Sequence, residues 1–318
     1  MEIRRLQYFV CIAELGSLGR AADILRIAQP ALTRQVRLLE QELGVALFTR
    51  TRRGMQLTDE GTQLLAEVTG PLRHLEGALQ NIRSRGAELS GSVAVGMTPT
   101  VACFLAQPLL ERLASIAPDV ALRIVEGTSL HLGEGLLSGE LDMGLLHEPL
   151  HDPHLESRDL MTEDMVVVGS MSSGLSPDRA LLIGALTELP LILPNPKNGL
   201  RTITERYAAK YNVHFQIKYV IDSLPVLKDM IGNGHGYGIL PLSAILKEVE
   251  AGQLTYARLK NPTRRTLVVS TRTNSRIPRV MTKLQSVMED VLCTLHQAGR
   301  ISGELKFAHA RRPALKVA

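Results

Sequence analysis

Few residues in this sequence have the types and spacing that enzymatic chemistry requires. The segment from His147 to His151 reads H-E-P-L-H and matches the H-E-x-x-H pattern of zinc hydrolases, with Glu148 as the base. That chemistry requires a continuous helix, because only a helix places both histidines on one face beside the glutamate. Pro149 and Pro153 flank the second histidine, and the segment follows a predicted strand, so the pattern favours a solvated loop. We expect neither catalysis nor a metal ion here, and a zinc hydrolase remains the less favoured alternative.

The cysteine and glycine patterns give no sign of cofactor chemistry. The chain has 3 cysteines, Cys11, Cys103 and Cys293, with no close pair, which argues against a disulfide framework and against a cysteine-rich zinc module. The glycine-rich run 232–238 resembles a nucleotide loop, but Tyr237 stands where G-x-G-x-x-G needs its last glycine, and the run precedes a predicted strand. We therefore expect no cofactor.

Positive charge is concentrated near the N-terminus. Residues 1–58 contain nine arginines and five acidic residues, which alone account for the net charge of +4 of the whole chain. A short basic segment on a neutral body is typical of an electrostatic anchor for nucleic acid. Only 3% of the residues are aromatic and tryptophan is absent, so the sequence lacks the stacking platform of single-strand binders.

The basic segment begins with two predicted helices. Apolar residues at positions 6, 9, 10 and 13 give a first amphipathic helix, which Gly16 ends. Ser17 is a favoured cap for a second helix that extends to about Leu25. Ala21 and Ala22 are small enough for this helix to pack closely.

A third predicted helix separates an apolar stripe from a polar face. It begins near Gln29-Pro30, where a proline is tolerated because its missing N–H would lack an intrahelical partner. A hairpin with an Arg-Gly turn follows over residues 45–58. In a winged helix-turn-helix, such a helix enters the major groove and the hairpin contacts the flanking backbone. A solvated basic face on a small helical bundle is the alternative.

The spacing of these residues resembles that of the LysR-type transcriptional regulators. The resemblance covers residues 1–61 closely and the remainder in length and layout. It is carried by Leu6-x-Tyr8-Phe9, Gly16-Ser17-Leu18-x-Arg20-Ala21-Ala22, Gln29-Pro30-Ala31-Leu32-Thr33-Arg34-Gln35-Val36, Leu39-Glu40, Leu43-Gly44-x-x-Leu47-Phe48-x-Arg50 and Leu57-Thr58-x-x-Gly61. Ala28 departs from the family, which usually has a serine or threonine there whose hydroxyl can cap the third helix or contact a phosphate.

The resemblance implies that residues 1–58 bind double-stranded promoter DNA and that the protein is a homodimer or homotetramer. It also allows contact with RNA polymerase. The predicted DNA-binding residues are Arg20, Gln29, Pro30, Thr33, Arg34, Arg37, Arg50 and Arg53.

Residues 59–89 are predicted to form a linker helix and a hinge, the hinge lying at about 84–92. Apolar residues recur at alternating spacings of three and four, the heptad pattern that pairs two helices. They are Leu65, Val68, Leu72, Leu75, Leu79 and Ile82. Gly70-Pro71 interrupts the pattern, and because proline inside a helix costs about 3 kcal/mol and usually kinks it, we expect a bent helix. The resemblance identifies this segment as the dimerisation helix, whereas packing on its own domain is the alternative.

Residues 90–300 alternate between predicted strands and helices, which indicates an α/β domain with doubly wound parallel sheets. By resemblance, this is a two-lobed effector-binding domain similar to periplasmic binding proteins. Lobe I would comprise about 90–161 and 266–300, and lobe II about 162–265. Residues 301–318 are predicted to be a C-terminal tail.

A candidate effector site follows from this architecture. Ligands of doubly wound sheets bind beyond the carboxyl ends of strands, where helix N-termini present free N–H groups. Hydroxyl, amide and cationic side chains at those places favour a small carboxylate or another anion, although each one alone is also an ordinary helix cap or turn residue. The predicted effector-binding residues are Thr98, Thr100, Thr128, Ser129, His147, Asn195 and Arg201.

Membrane and export signals are not recognised in the sequence. No apolar run approaches the roughly 20 residues that span a bilayer, and the N-terminal pattern is not that of a signal peptide. We expect a cytoplasmic protein without a membrane partner. A solute-binding protein would share the two lobes, but the basic N-terminal unit and the missing export signal argue against it.

Overall fold

The computed structural model describes residues 2–51, 54–83, 91–148, 150–273 and 279–307. Three predictions fall wholly or mostly outside these ranges: the DNA contact by Arg53, the hinge over 84–92, and the tail over 301–318. The predicted zinc-hydrolase segment also includes Pro149, which is not described. No helix among the described residues is long and apolar enough to cross a membrane.

The N-terminal head is a small helical unit with a hairpin. Its elements are α1 (Ile3–Leu15), α2 (Leu18–Leu25), α3 (Gln29–Leu43), β1 (Phe48–Thr51) and β2 (Gly54–Leu57). The helices pack around fully buried side chains, among them Phe9, Ile12, Leu32 and Leu39. The predicted three helices and hairpin are therefore present with their expected order and near their expected limits.

The ends of the head helices follow from single residues. Gly16 and Gly44 adopt left-handed conformations, with φ of 61° and 74°, and end α1 and α3. The Ser17 hydroxyl accepts a hydrogen bond from the Arg20 backbone N–H at 3.4 Å and caps α2. Ala28 occupies the same position before α3 and offers no side-chain cap. The departure from the family pattern thus leaves this helix end without its usual hydroxyl.

The hairpin is fixed to the helices by hydrogen bonds. The Glu40 carboxylate on α3 accepts from the backbone N–H groups of Leu47 and Phe48, at 2.8 and 3.3 Å. The Met55 N–H donates to the carbonyl of Gly16 at 2.9 Å. These contacts set the position of the hairpin relative to α3, which is the geometry that a winged DNA-binding head needs.

A single long helix, α4 (Asp59–Arg83), leaves the head. The Thr58 hydroxyl accepts from the Gly61 N–H at 2.9 Å and caps its start. The helix continues through Pro71 instead of breaking there. At Gly70 it approaches the effector domain so closely that a Cβ atom would lie 2.6 Å from the carbonyl oxygen of Gly139. The glycine is therefore required by this contact.

The apolar seam of α4 divides into a packed half and an exposed half. Leu65, Val68 and Leu72 pack against the core of the head, so the predicted alternative of packing on the helix's own domain is correct for this half. Leu75 and Leu79 are 37% and 46% exposed. The side chain of Ile82 lies outside the described residues. Only the second half of the seam is therefore available to a partner helix.

Lobe I of the C-terminal domain is built on a sheet covered on both faces. Its elements are β3 (Gly91–Met97), α5 (Pro99–Ile116), β4 (Val120–Glu126), α6 (Ser129–Ser138), β5 (Met143–His147), the first part of β6 (Leu155–Ser170), most of β11 (Arg264–Arg272), α10 (Arg279–Gln297) and β12 (Glu304–Leu305). The helices α5 and α10 pack on one face of the sheet, and α6 covers the other.

Lobe II contains the elements between the two places where the chain passes from one lobe to the other. They are a 3-10 helix (Ile183–Glu188), β7 (Pro190–Leu193), α7 (Gly199–Lys210), β8 (Gln216–Val220), α8 (Leu224–Gly232), β9 (Gly238–Pro241), a second 3-10 helix (Leu242–Ala244), α9 (Leu246–Glu250) and β10 (Leu254–Arg258).

The sequence analysis predicted parallel sheets, but this prediction is only partly correct, because the sheets are mixed. The pairs β3–β4, β3–β5 and β7–β8 are parallel, whereas every pairing of β6 and of β11 is antiparallel. The difference arises because β6 is a 16-residue strand that pairs with β11 along its first part and with β9 and β10 along its second. Two adjacent antiparallel strands therefore carry the chain between the lobes.

The uncapped start of α3 gives a test of this local structure. Ala28→Ser is expected to stabilise the helix by about 1 kcal/mol, because a hydroxyl at the cap position can accept from the Ala31 N–H. Hydrogen exchange of the Ala31 amide in the full-length protein should slow. Ser17→Ala is the matched control and should speed exchange at Arg20. Unchanged exchange at Ala31 would show that another group already satisfies this amide.

Candidate ligand-binding cavity and DNA-binding face

A cavity of about 320 Å³ lies between the two lobes. From lobe I it is lined by Thr98, Pro99, Thr100, Gly127, Thr128, Ser129, His147 and Arg265, and from lobe II by Pro194, Asn195, Asn198, Gly199, Leu200, Ile203, Ile221, Asp222, Leu224 and Leu227. Apart from Arg265, which lies on the antiparallel strand β11, both sets lie near the carboxyl ends of parallel strands, as expected for ligand sites in α/β sheets.

Four helices begin at this cavity. They are α5, α6, α7 and α8, which start at Pro99, Ser129, Gly199 and Leu224. A helix N-terminus carries about half a positive elementary charge and presents N–H groups. Four of them directed at one space create a positive potential that favours the carboxylate of a ligand.

The start of α5 lacks the side-chain cap that α6 and α7 have. Thr128 caps α6 by accepting from the His131 N–H at 3.3 Å, and Asn198 caps α7 by accepting from the Leu200 N–H at 3.0 Å. Thr98 makes no such cap, and its hydroxyl is buried without a hydrogen-bond partner among the described residues. Because burying an unpaired hydroxyl is unfavourable, a ligand atom at this position would relieve a cost already present.

A buried polar network lies behind the cavity wall. The Thr100 hydroxyl lies 3.2 Å from Nε2 of His147 and accepts from Nη1 of Arg265 at 2.9 Å. Nε and Nη2 of Arg265 both approach Oε1 of Glu163, at 2.8 and 2.6 Å. The Ser243 hydroxyl donates to Oε2 of the same carboxylate at 2.6 Å. The network therefore joins lobe I, the crossing strands and lobe II.

Strand register explains the central ion pair. Arg265 on β11 is the direct cross-strand partner of Glu163 on β6, and the two residues are 2% and 1% exposed. Burial lowers the pKa of the Arg265 guanidinium from its ordinary value, and the adjacent Glu163 opposes that change. Burial first, and the charge of Arg265 second, hold the pKa of His147 well below its usual value. His147 is consequently neutral at pH 7.

Six of the seven predicted effector-binding residues line the cavity: Thr98, Thr100, Thr128, Ser129, His147 and Asn195. The exception is Arg201, which does not line it. Its Nε donates to Glu205 at 2.6 Å and its Nη1 to the Pro194 carbonyl at 3.1 Å, so the guanidinium is occupied within lobe II.

The sequence analysis missed the two charged residues that line the cavity, Arg265 and Asp222. Arg265 is buried on β11, but its partner Glu163 lies 102 residues away in the sequence. Asp222 follows β8, and its carboxylate accepts from the backbone N–H and the side-chain amide of Asn195, at 2.9 and 2.6 Å. A charged residue directly after a predicted strand was the available signal for Asp222.

The zinc-hydrolase pattern does not have the helix it requires. His147 is the last residue of β5, and Glu148 has a left-handed φ of 66°. The Glu148 carboxylate accepts from Nη1 of Arg206 at 3.0 Å. No group of three or more metal-binding side chains occurs in the described part of the chain. The segment is a strand end whose histidine faces the cavity.

The head presents a basic face on α3. Gln29, Pro30, Arg34 and Arg37 are exposed, and neither arginine forms an ion pair with any residue that the structure describes. Thr33 is half-buried, and its hydroxyl donates to the Gln29 carbonyl at 3.0 Å. The exposed face is therefore opposite the buried residues of the helix, which is where a groove-binding helix needs its polar side chains.

Two further predicted DNA contacts lie on the elements that precede and follow this helix in the chain. Arg20 is exposed on α2, and Arg50 is exposed on β1 of the hairpin. Cations in such flanking positions suit contacts with the phosphate backbone.

Comparisons with known proteins agree with this geometry. Residues 3–62 match the family described as "Bacterial regulatory helix-turn-helix protein, lysR family", and residues 86–292 match the "LysR substrate binding domain". The nitrogen assimilation regulatory protein Nac of Klebsiella aerogenes is 34% identical over 264 residues, which cover 82% of this chain and 85% of that protein.

Solved structures share the fold over nearly the whole length. A cysteine variant of full-length OxyR from Pseudomonas aeruginosa superposes with a TM-score of 0.71 at 24% identity, covering 92% of this chain and 97% of that one. Full-length CbnR in complex with its target DNA gives a TM-score of 0.69 at 21% identity, covering 92% of this chain and 100% of that one. With a winged head, a linker helix and a two-lobed ligand domain in one polypeptide, the chain belongs to the LysR-type transcriptional regulators, which bind promoter DNA and respond to small-molecule effectors.

Proposed function

We propose that this regulator binds its promoter as a homodimer or homotetramer and that a small carboxylate in the inter-lobe cavity controls it. The observation that carries the proposal is the meeting of four helix N-termini and the unpaired Thr98 hydroxyl at one cavity. The domain limits 1–58, 59–89 and 90–300, a cytoplasmic location and contact with RNA polymerase during activation belong to the same proposal. We assign no catalytic role.

The groups that line the cavity indicate which chemical groups the effector carries. The helix N-termini and Thr98 suit a carboxylate, whereas the carboxylate of Asp222 needs a donor opposite it. Arg265 adds little net charge, because Glu163 compensates it. A carboxylic acid that also carries a hydroxyl or ammonium group satisfies both sides of the cavity.

A mechanical route connects the cavity to the head. Helix α6 begins at the cavity with Ser129 and ends at Gly139, which contacts Gly70 of α4. An effector that displaces the start of this ten-residue helix also displaces its end against the linker helix. This contact supports a transfer of effector binding to the arrangement of the heads.

DNA recognition is tested on α3 and on the hairpin. Arg34→Ala should lower operator affinity by about 1–3 kcal/mol, because a bidentate contact with a guanine edge is lost. Arg50→Ala should weaken binding to all sequences alike and reduce the salt slope by about one. Affinities are measured by fluorescence anisotropy over a range of salt concentrations, with Arg112→Ala on α5 as the control. Wild-type operator affinity of an Arg34→Ala/Arg37→Ala double variant would refute the groove assignment.

Assembly is tested on the exposed half of the α4 seam. Leu75→Glu combined with Leu79→Glu should yield monomers, because carboxylates would be buried at the helix pair. Sedimentation velocity measures the change. Leu72 is avoided since it packs into the head. Leu182→Glu, at another exposed leucine, is the control. An unchanged sedimentation coefficient would place the oligomer interface elsewhere.

Effector binding is tested with compounds on one four-carbon skeleton. Malate and aspartate should raise the unfolding temperature more than succinate, and putrescine and succinamide should have no effect, because the cavity needs both a carboxylate and a donor. Sulfate is included as a simple anion.

Two variants test the roles of Thr98 and Thr100, whose hydroxyl groups differ in their hydrogen bonds. Thr98→Val should weaken the response to the best compound about tenfold while leaving the unliganded protein as stable as before, because its hydroxyl is unpaired. Thr100→Val should instead destabilise the protein, since it strips a partner from both His147 and Arg265. Ser115→Ala, at the far end of α5, is the control. If Thr98→Val keeps the full increase in unfolding temperature, the ligand carboxylate does not bind at Thr98. If putrescine alone raises the unfolding temperature, the proposed class of effector is wrong.

A further inference from the structure

An ion pair between exposed side chains joins the two lobes beside the inter-lobe cavity. Nη1 of Arg206 on α7 donates to Oε1 of Glu148 at 3.0 Å, and the side chains of Arg206 and Glu148 are 64% and 43% exposed. Glu148 directly follows His147, and Arg206 lies about one helical turn after Ile203. Because His147 and Ile203 both line the cavity, the ion pair lies at its edge.

The backbone of Glu148 is anchored and strained. Its N–H donates to the Thr266 carbonyl at 3.1 Å, which extends the pairing of β5 with β11 by one residue. Its φ of 66° lies in the left-handed region, which is unfavourable for a glutamate and easily adopted by glycine. Strained residues of this kind are concentrated at functional sites. The strain therefore indicates that the side chain of Glu148 has a function that glycine could not supply.

The charge interaction at this edge of the cavity is that of a single pair. Glu205, the acidic residue next to Arg206, accepts a hydrogen bond from Nε of Arg201. Among the residues that the structure describes, neither Glu148 nor Arg206 forms a second ion pair. The contact between the end of β5 and α7 therefore has no other charged group to replace either partner.

An ion pair with this exposure is strong enough to bias a movement and too weak to prevent it. Exposed pairs typically change an equilibrium by a factor of about five or less. Salt weakens them, because the screening length falls from about 10 Å at 0.1 M to about 3 Å at 1 M. The pair between Glu163 and Arg265 differs, since both side chains are 1% exposed and little affected by salt.

We propose that Glu148 and Arg206 form an electrostatic latch, which holds α7 against the end of β5 and closes the edge of the cavity. When the pair is formed, small molecules reach the cavity less readily, and when it is broken they enter and leave faster. Higher ionic strength opens the latch. This role accounts for the glutamate of the H-E-P-L-H pattern without a metal ion, and its effect on effector release rests on the proposed function.

A reporter thiol measures access to the cavity in the full-length protein without an effector. Ser129→Cys supplies this thiol, because Ser129 lines the cavity. Its alkylation by iodoacetamide is followed by mass spectrometry, with Cys11 in the head as the internal standard. In this background Glu148→Gln and Arg206→Gln should each speed alkylation about threefold at low salt, because the latch is lost.

The two variants distinguish an open cavity from a more reactive thiol. Loss of the Glu148 charge favours the thiolate, whereas loss of the Arg206 charge disfavours it. Rates that change in opposite directions would therefore report electrostatics alone and overturn the latch. Addition of about 0.5 M NaCl should speed alkylation when the pair is intact and have little effect in either variant. The exchanged pair, Glu148→Arg with Arg206→Glu, should restore slow alkylation.

Another exposed ion pair between the lobes provides the matched control. Arg300, which follows α10, lies 3.3 Å from Glu250 of α9, and each side chain is 49% exposed. Neither residue lines the cavity, so Glu250→Gln should leave alkylation of the reporter thiol unchanged. An equal effect of Glu250→Gln and Glu148→Gln would show that the cavity responds to the charge of the whole protein, and the latch would be refuted.

Glu148→Gly tests the strained backbone. It should speed alkylation as much as Glu148→Gln without lowering the unfolding temperature, because glycine adopts the left-handed conformation easily. Unchanged alkylation with a lower unfolding temperature would mean that Glu148 only supports the local fold. Unchanged alkylation in every variant of Glu148 and Arg206 would refute this inference and leave promoter binding and the four-carbon effector series untouched.

Discussion

The buried ion pair between Glu163 and Arg265 is the constraint on which the effector domain depends. It lies where two antiparallel strands carry the chain between the lobes, and its partners are opposite each other in the strand register. Removing one partner would leave a buried charge uncompensated, at a cost of about 3–5 kcal/mol. Because the pair also holds Thr100 of lobe I and Ser243 of lobe II, it fixes the position of the two lobes relative to each other.

This arrangement places ligand binding and DNA binding at the two ends of a continuous structure. Helix α6 connects the cavity to the contact between Gly139 and Gly70, and α4 continues from that contact into the core of the head. The close approach explains the glycine at position 70, since any side chain there would collide with the backbone of Gly139. Pro71 lies next to it inside the same helix. A glycine-proline pair that looks like a helix breaker therefore lies inside the helix, and its glycine forms the contact with Gly139.

The sequence predicted those features that depend on local rules. Gly16, Ser17 and Gly44 set helix ends through backbone conformation and capping, so the head was predicted within a few residues. The antiparallel crossing strands and Arg265 could not be predicted, because they depend on pairing between residues about one hundred positions apart. Arg201 was assigned to the cavity from its proximity in sequence, but hydrogen bonds to Glu205 and Pro194 turn it away.

The charge balance of the cavity determines how it can discriminate between ligands. Arg265 is compensated by Glu163 and Asp222 adds a negative charge, so side chains alone do not favour an anion. The attraction must come from the oriented N–H groups of four helices, whose effect falls off within the first turn. In the proposed function, a ligand carboxylate is therefore stabilised only near Thr98, and a donor only near Asp222. Selectivity in such a cavity rests on the distance between two groups of the ligand more than on its net charge.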